Sequence, residues 1–260
     1  MTVQTIVTED ERALAEEASR LLLGWIQEAL AARGKARVIL AGGNTPRETY
    51  ALLAAAMREK GTPAGGVSWF FGDERWVTRD NAQSNEGMIR QALLGPIGAP
   101  ESTINSWDAG WGDPIDCARG YGAKVLGQMG TGADRPDVLV LGLGADGHTA
   151  SLFPNATAHL PDGTRAVVGP DLPGVAAAVQ GVADRGWRLT LCPGFLRTSR
   201  RAAFIVAGAG KAEALRGALA GSPRFPGSWI RGEETLFLVT RDAMGPERPG
   251  GAMDSGSRRV

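Results

Sequence analysis

Residues 137–154, DVLVLGLGADGHTASLFP, hold the decision about this fold. Asp137-Val-Leu-Val-Leu141 is a short unbroken apolar run, the pattern of a strand buried on both faces of a parallel sheet. It leads straight into glycines at 142, 144 and 147, which spell G-x-G-x-x-G, and then into His148, one of only 2 histidines in the chain. Three readings compete for that turn: a dinucleotide-binding loop, a catalytic histidine on an anion-binding turn, and an ordinary tight turn.

The same grammar recurs on either side. Arg37-Val-Ile-Leu-Ala41 is an apolar run that ends in Gly42-Gly43-Asn44-Thr45-Pro46, and Val67-Ser-Trp-Phe-Phe71 ends in Gly72-Asp73-Glu74-Arg75. Upstream, Thr8-Glu-Asp-Glu11 has capping-box spacing, with Thr8 as the expected N-cap. Leu14, Ala18, Leu21, Leu22, Trp25 and Ala29 then repeat at helical spacing to about Arg33, with Gly34 as the stop. Further helices are expected from Pro46 to about Arg58, near Ser84 to Leu94, from Asp113 to Met129 and from Lys211 to Ala220. Strands are expected at 187–191, 202–207 and 235–240. Helices and strands alternating in this way predict an α/β fold, a mostly parallel sheet with helices on both faces. Residues 1–244 read as one catalytic domain without repeat or dividing linker, and the Gly/Pro/Ser-rich stretch 245–260 reads as a disordered tail.

Bulk properties narrow the function. At 260 residues the chain can bury a full core. Its 28 basic residues match its 28 acidic ones, so no global field draws it to nucleic acid or to an anionic membrane. The N-terminus shows no secretory pattern and no apolar stretch is long enough to span a bilayer, so the expectation is a cytoplasmic protein. Cys117 and Cys192 stand far apart and read as buried reduced thiols.

In open parallel sheets, ligands bind beyond the carboxyl ends of the strands, which puts three loops in question. In the first, Gly42 and Gly43 allow close backbone approach. Pro46 suits the first helical position, leaving Thr45 as N-cap and free amides facing an anion. A plain strand-to-helix turn explains that loop equally well. In the second, three charges directly after Trp69-Phe70-Phe71 must be paired or functional. Arg75 suits a phosphate, and Asp73 or Glu74 suits hydroxyls or protons; a solvated ion pair is the bland alternative. In the third, the dinucleotide reading needs a sustained crossover helix, yet Pro154 arrives 7 residues after Gly147. His148 carries the interest there, because imidazole titrates near neutrality and moves protons at cellular pH. No second His or Cys stands at ligand spacing, so no metal is expected. Ser151 lacks the nucleophile-elbow pattern. His159 reads as structural.

Taken together, Ala41-Gly-Gly-Asn-Thr-Pro46, Phe71-Gly-Asp-Glu-Arg-Trp-Val77 and Leu141–Pro154 resemble, in order and spacing, the signatures of the 6-phosphogluconolactonase family. The segment Val206–Leu215 resembles that family's later lysine-bearing segment. The resemblance covers about residues 8–240. It implies a modified doubly wound, sugar-phosphate isomerase-like fold, and hydrolysis of 6-phospho-D-glucono-1,5-lactone to 6-phospho-D-gluconate in the pentose phosphate pathway. It also implies His148 as general base, Asp146 orienting the loop or imidazole, and Asp73 or Glu74 meeting sugar hydroxyls. Gly42, Gly43, Asn44 and Thr45, with Arg75 and Lys211, would hold the phosphate. No cofactor or metal is implied, and the expected partner is a small phosphorylated sugar lactone; the chain is expected to be a monomer or small homo-oligomer. Departures are Ala41 and Asn44 where serines are common, Arg197 where asparagine is usual, and a 235–242 segment without the usual tryptophan and acid.

Two rivals remain at this level. Glucosamine-6-phosphate deaminases share the D-G-H element but continue with a glutamate where this chain has Phe153. An NAD-dependent dehydrogenase would use the glycines at 142–147.

Overall fold

The computed structural model describes residues 2–129, 134–180 and 186–246. One sheet comprises β1 (Thr2–Thr8), β2 (Ala36–Leu40), β3 (Val67–Phe71), β5 (Ile104–Asn105), β6 (Val138–Leu141), β11 (Arg201–Val206) and β12 (Glu234–Thr240). Its spatial order is β1-β12-β11-β6-β2-β3-β5, and every pairing is parallel. The unbroken apolar runs are the reason: β2 and β6 are buried at every position, which only a sheet covered on both faces allows. From β2 the chain steps outward to β3 and β5, and from β6 it steps the other way to β11 and β12. The topological switch therefore falls between β2 and β6, paired through Val38 with Val138 and Ile39 with Leu139. That is where a crevice opens in such folds.

The helices are α1 (Glu11–Arg33), α2 (Thr45–Glu59), α3 (Asn85–Ile89), α4 (Pro114–Gln128), α5 (Pro193–Leu196) and α6 (Ala212–Leu219). Gly34 stops α1 in the left-handed region at φ 68°, its N–H closing on Leu30 O. Thr8 does not cap α1. It ends β1 opposite Thr240, its hydroxyl donating to Val239 O, so strand pairing has already claimed it. Asp10 caps instead, accepting from Ala13 N at 2.8 Å. A strand therefore precedes the first helix, which the sequence reading did not anticipate. Thr45 likewise opens α2 rather than capping it; Asn44 holds the cap position without a side-chain bond. The helix expected at 84–94 is α3 followed by a wider turn over Arg90–Leu94. The one expected from Lys211 begins at Ala212 after a tighter turn over Ala209–Lys211.

A second sheet was not foreseen. It contains β4 (Asp73–Arg75), β7 (Thr157–His159), β8 (Arg165–Val167), β9 (Ala176–Gln180) and β10 (Arg188–Leu191), in the order β4-β10-β9-β7-β8, all antiparallel. The strand expected at 187–191 belongs here, since pairing direction is set by the partner and not by the strand's own residues. Gly72 is the crossing point between the sheets. Its N–H donates to Leu40 O at 2.8 Å and its carbonyl accepts from Leu191 N at 2.9 Å.

One apolar cluster runs through both sheets, with Phe204 and Phe237 stacked 4.4 Å apart inside it. Cys192 is buried and Cys117 partly so, both as free thiols that burial pushes up to about 12. His159 is buried edge-on against Trp187, a packing role. The expected tail falls, from residue 247 on, outside the described residues.

Candidate active site

Two buried tyrosines set the strand ends from which the site grows. The Tyr50 hydroxyl accepts from Ala41 N at 3.0 Å and donates to Ala41 O at 2.8 Å, pinning the chain before Gly42. The Tyr121 hydroxyl does the same at Phe71, accepting from its N at 2.8 Å and donating to its O at 3.0 Å, just before Gly72 and Asp73. Trp107 stacks on Tyr121 and donates to the same carbonyl. Each device satisfies backbone groups that leave the ladder where a strand ends.

A cleft of about 330 Å³ opens over these ends, between β2 and β6. It is bordered by Gly42, Gly43, Asn44 and Thr45 from the first loop, Asp73 and Arg75 from β4, His148 from the third loop, and Lys211 before α6. Gly43 takes φ +104°, a conformation open mainly to glycine. Depressions of about 400 and 440 Å³ lie elsewhere, one at the opposite end of the sheet around Asp137 and Arg200, the other behind Asp146. Neither gathers the three loops.

His148 is held by its own turn. Its Nδ1 is bonded to Asp146 Oδ1, and its backbone N–H donates to the same oxygen at 3.2 Å. That bond lowers the Asp146 carboxyl to about 2, well below its ordinary value. With the Nδ1 proton directed at a carboxylate, Nε2 keeps a free lone pair, the arrangement of a general base. Asp146 thus stands behind the imidazole rather than in the cleft. Gly144 is glycine for this reason: a Cβ there would meet His148 Nδ1 at 2.1 Å and Asp146 Oδ1 at 2.5 Å. Gly147 takes φ +83° and lies against Phe225. After His148 the chain makes a local bridge between Thr149 and Leu152 and then enters β7, so no helix follows to receive a pyrophosphate. The dinucleotide reading of 142–147 ends there.

Asp73 faces the cleft with both carboxylate oxygens held, accepting from Ser151 Oγ at 2.7 Å and from Asn85 Nδ2 at 3.1 Å. Burial raises its carboxyl above the ordinary value, while Ser151, Arg75 and His148 pull it back. Arg75 donates to Gln83 O at 2.6 Å. Glu74 is corrected: alternation along β4 turns it away from the cleft, and it is 2% exposed. Its carboxylate accepts from Arg75 N, Asn85 N and Glu86 N at 2.7–2.8 Å and from Ser84 Oγ at 3.1 Å, so it organises the start of α3 and meets no sugar hydroxyl. Burial pushes this carboxyl up to about 7.

Asn85 and Ser151 are the residues the sequence reading passed over. Ser151 was considered only as a nucleophile, and nothing local marks Asn85, since its partner Asp73 lies in another strand. Arg197, the departure noted above, is structural, donating to Trp229 O at 2.8 Å and Pro170 O at 2.5 Å. Phe153 is buried with its ring 4.5 Å from that of His148. Among the described residues, no cluster of three or more His, Cys, Asp or Glu side chains could hold a metal, and no helix is long and apolar enough to cross a membrane.

Known proteins are similar to this chain in sequence and fold. Residues 9–238 match the family described as glucosamine-6-phosphate isomerases/6-phosphogluconolactonase. A 6-phosphogluconolactonase of Synechocystis is 32% identical over 96% of this chain and 100% of its own length. One of Mycobacterium tuberculosis is 32% identical over 90% of this chain and 94% of its own. The crystal structure of 6-phosphogluconolactonase from Thermotoga maritima superposes with TM-score 0.79 at 25% identity, covering 92% of this chain and 100% of that one. A monomeric glucosamine-6-phosphate deaminase shares the fold at TM-score 0.69 and 23% identity, over 94% of this chain and 99% of that one. With the three loops gathered at one switch point, and matches running nearly end to end, the chain belongs to the glucosamine-6-phosphate isomerase/6-phosphogluconolactonase family.

Proposed function

We propose that this protein hydrolyses 6-phospho-D-glucono-1,5-lactone to 6-phospho-D-gluconate, the lactone-opening step of the pentose phosphate pathway, with His148 as general base. The observation that carries it is the Asp146–His148 pair presented to a cleft that also holds Arg75 and Lys211. The names of the similar proteins point the same way. Nε2 of His148 takes a proton from water as the water oxygen bonds to C1 of the lactone. The tetrahedral intermediate collapses, the bond from C1 to the ring oxygen breaks, and the imidazolium returns its proton to that oxygen as it becomes the C5 hydroxyl. Arg75, Lys211, the amides of residues 42–45 and the Thr45 hydroxyl take the phosphate, a distribution suited to a dianion. No step calls for a metal or organic cofactor.

Phe153 separates this reading from deamination. A glutamate in its place would lie beside the imidazole and add a proton-transfer group; the phenyl ring supplies none. The test is acid release from fresh 6-phosphogluconolactone in a pH-stat, set against spontaneous hydrolysis. His148→Ala is expected to lower kcat by about 10²- to 10⁴-fold. A wild-type rate no greater than background rejects the activity, and an undiminished alanine variant rejects the base.

A further inference from the structure

We infer that Ser151 is a positioning residue for the base: it clamps the loop bearing His148 onto an opposed pair of strand residues, Asp73 and Thr190. The inference rests on the lactonase reading above. Ser151 is 1% exposed, so it acts through its neighbours and not on substrate. Its Oγ donates to Asp73 Oδ2 at 2.7 Å, and its backbone N–H donates to Thr190 Oγ1 at 3.3 Å. Asp73 of β4 and Thr190 of β10 stand opposite each other in the antiparallel register, so one residue grips both strands at a single rung. Both are fixed themselves. Thr190 is fully buried, and Asp73 Oδ1 accepts from Asn85 of α3 at 3.1 Å. Asn85 in turn fills the space beside Gly42, where a Cβ would lie 1.9 Å from its Cγ.

Other bonds of the loop are local. Gly144 N donates to His148 O at 2.8 Å, Thr149 Oγ1 to Gly142 O at 2.8 Å, and Leu152 N to Thr149 O at 3.0 Å. They shape the turn but leave it free to pivot on the end of β6. A bond from Gly227 N to Gly147 O at 2.9 Å reaches a segment that does not border the cleft. Ser151 instead ties the loop to β4, whose Asp73 and Arg75 both do. The clamp thereby sets the base against the strand that carries a phosphate ligand. The backbone bears its mark: Ala150 takes φ 48°, a left-handed conformation that costs a residue with a Cβ about 1–2 kcal/mol. Such strain persists where surrounding contacts hold it, and the two Ser151 bonds supply them. The hydroxyl also favours the ionised form of Asp73, whose charge attracts the imidazolium that forms as His148 takes a proton.

The experiment pairs kinetics on 6-phosphogluconolactone with a proton–nitrogen NMR spectrum of the histidine rings, which is simple because the chain has only 2 histidines. Ser151→Ala should lower kcat about 10- to 100-fold, the scale of a misplaced catalytic group. KM should change less than about threefold, because Arg75, Lys211 and the 42–45 loop stay on their own elements. An unchanged kcat, or a loss confined to KM, overturns the clamp. In the spectrum, Ser151→Ala should move or broaden the ring signals of His148 and leave those of buried His159 in place. A still His148, or equal movement of both rings, overturns it as well. The double variant Ser151→Ala/Asp73→Ala should give the His148 signals of Asp73→Ala alone, since the hydroxyl acts through that carboxylate; a further displacement overturns the route through Asp73. A wild type no faster than spontaneous hydrolysis rejects the lactonase reading instead, and the spectra, which need no turnover, still decide Ser151.

Discussion

At the scale of single residues, His148 and Asp146 act as one group, and their pH behaviour is predictable. The imidazole bond holds the Asp146 carboxyl at about 2, against an ordinary value of 3.8. A carboxyl whose value is lowered on folding stabilises the fold above its unfolded value, and that contribution is lost as pH falls toward the folded one. The melting-temperature gap between wild type and Asp146→Asn should therefore be present at pH 6 and shrink from about pH 4 down to about pH 2. In activity, the same variant should lose about tenfold or more in kcat with little change in KM, because it misdirects the base and leaves the phosphate contacts intact. Arg75→Ala and Lys211→Ala should do the reverse, raising KM about 10- to 100-fold as charged contacts to phosphate are lost. A loss confined to kcat would show that those contacts form only in the transition state.

At the scale of elements, the site depends on how strands end and helices begin. Glu74 illustrates this: buried beneath β4, it joins the backbone of that strand to the first turn of α3, where Asn85 stands. Glu74→Ala would strand those donors and should cost about 2–4 kcal/mol in denaturant unfolding. The pH dependence has the opposite sign to that of Asp146. Because burial raises the Glu74 carboxyl from 4.5 to about 7, the folded chain binds its proton more readily than the unfolded one across that window. This contribution is complete below about pH 4.5 and is lost as pH rises through 7. Glu74→Gln should flatten that part of the profile of urea midpoint against pH.

At the scale of the whole molecule, the parallel sheet divides its duties between its two ends. The carboxyl ends carry the cleft; the amino ends carry a charge cluster around the buried Asp137. That carboxylate is 3% exposed and takes hydrogen bonds from Arg33 at 2.6 Å and Arg37 N at 2.8 Å, with Arg200 at 3.3 Å. Asp137→Ala removes the acceptor of the partly exposed Arg33 and Arg200 guanidinium groups and of the buried Arg37 N–H, and should cost about 1–3 kcal/mol in unfolding free energy, while kcat of the folded enzyme stays unchanged. A matching loss of kcat would show that the two ends of β6 are coupled.

The sequence by itself determined the parallel sheet and most of the cleft. Unbroken apolar runs can be buried only one way, and the glycine-rich turns that follow them carry their own chemistry in consecutive residues. His148 with Asp146, Arg75 and the 42–45 loop could be read as candidates for that reason, whereas Lys211 came from the family resemblance alone. Strand β1 was not, because its edge position leaves most of its side chains exposed and erases the apolar signal. Nor was the antiparallel sheet, whose direction is a property of pairs. Tertiary structure alone decided that Glu74 faces inward, that Ser151 and Asn85 hold Asp73, and that Gly42 is small to admit Asn85. Each of these is a contact between segments that folding brings together, and no local spacing encodes it.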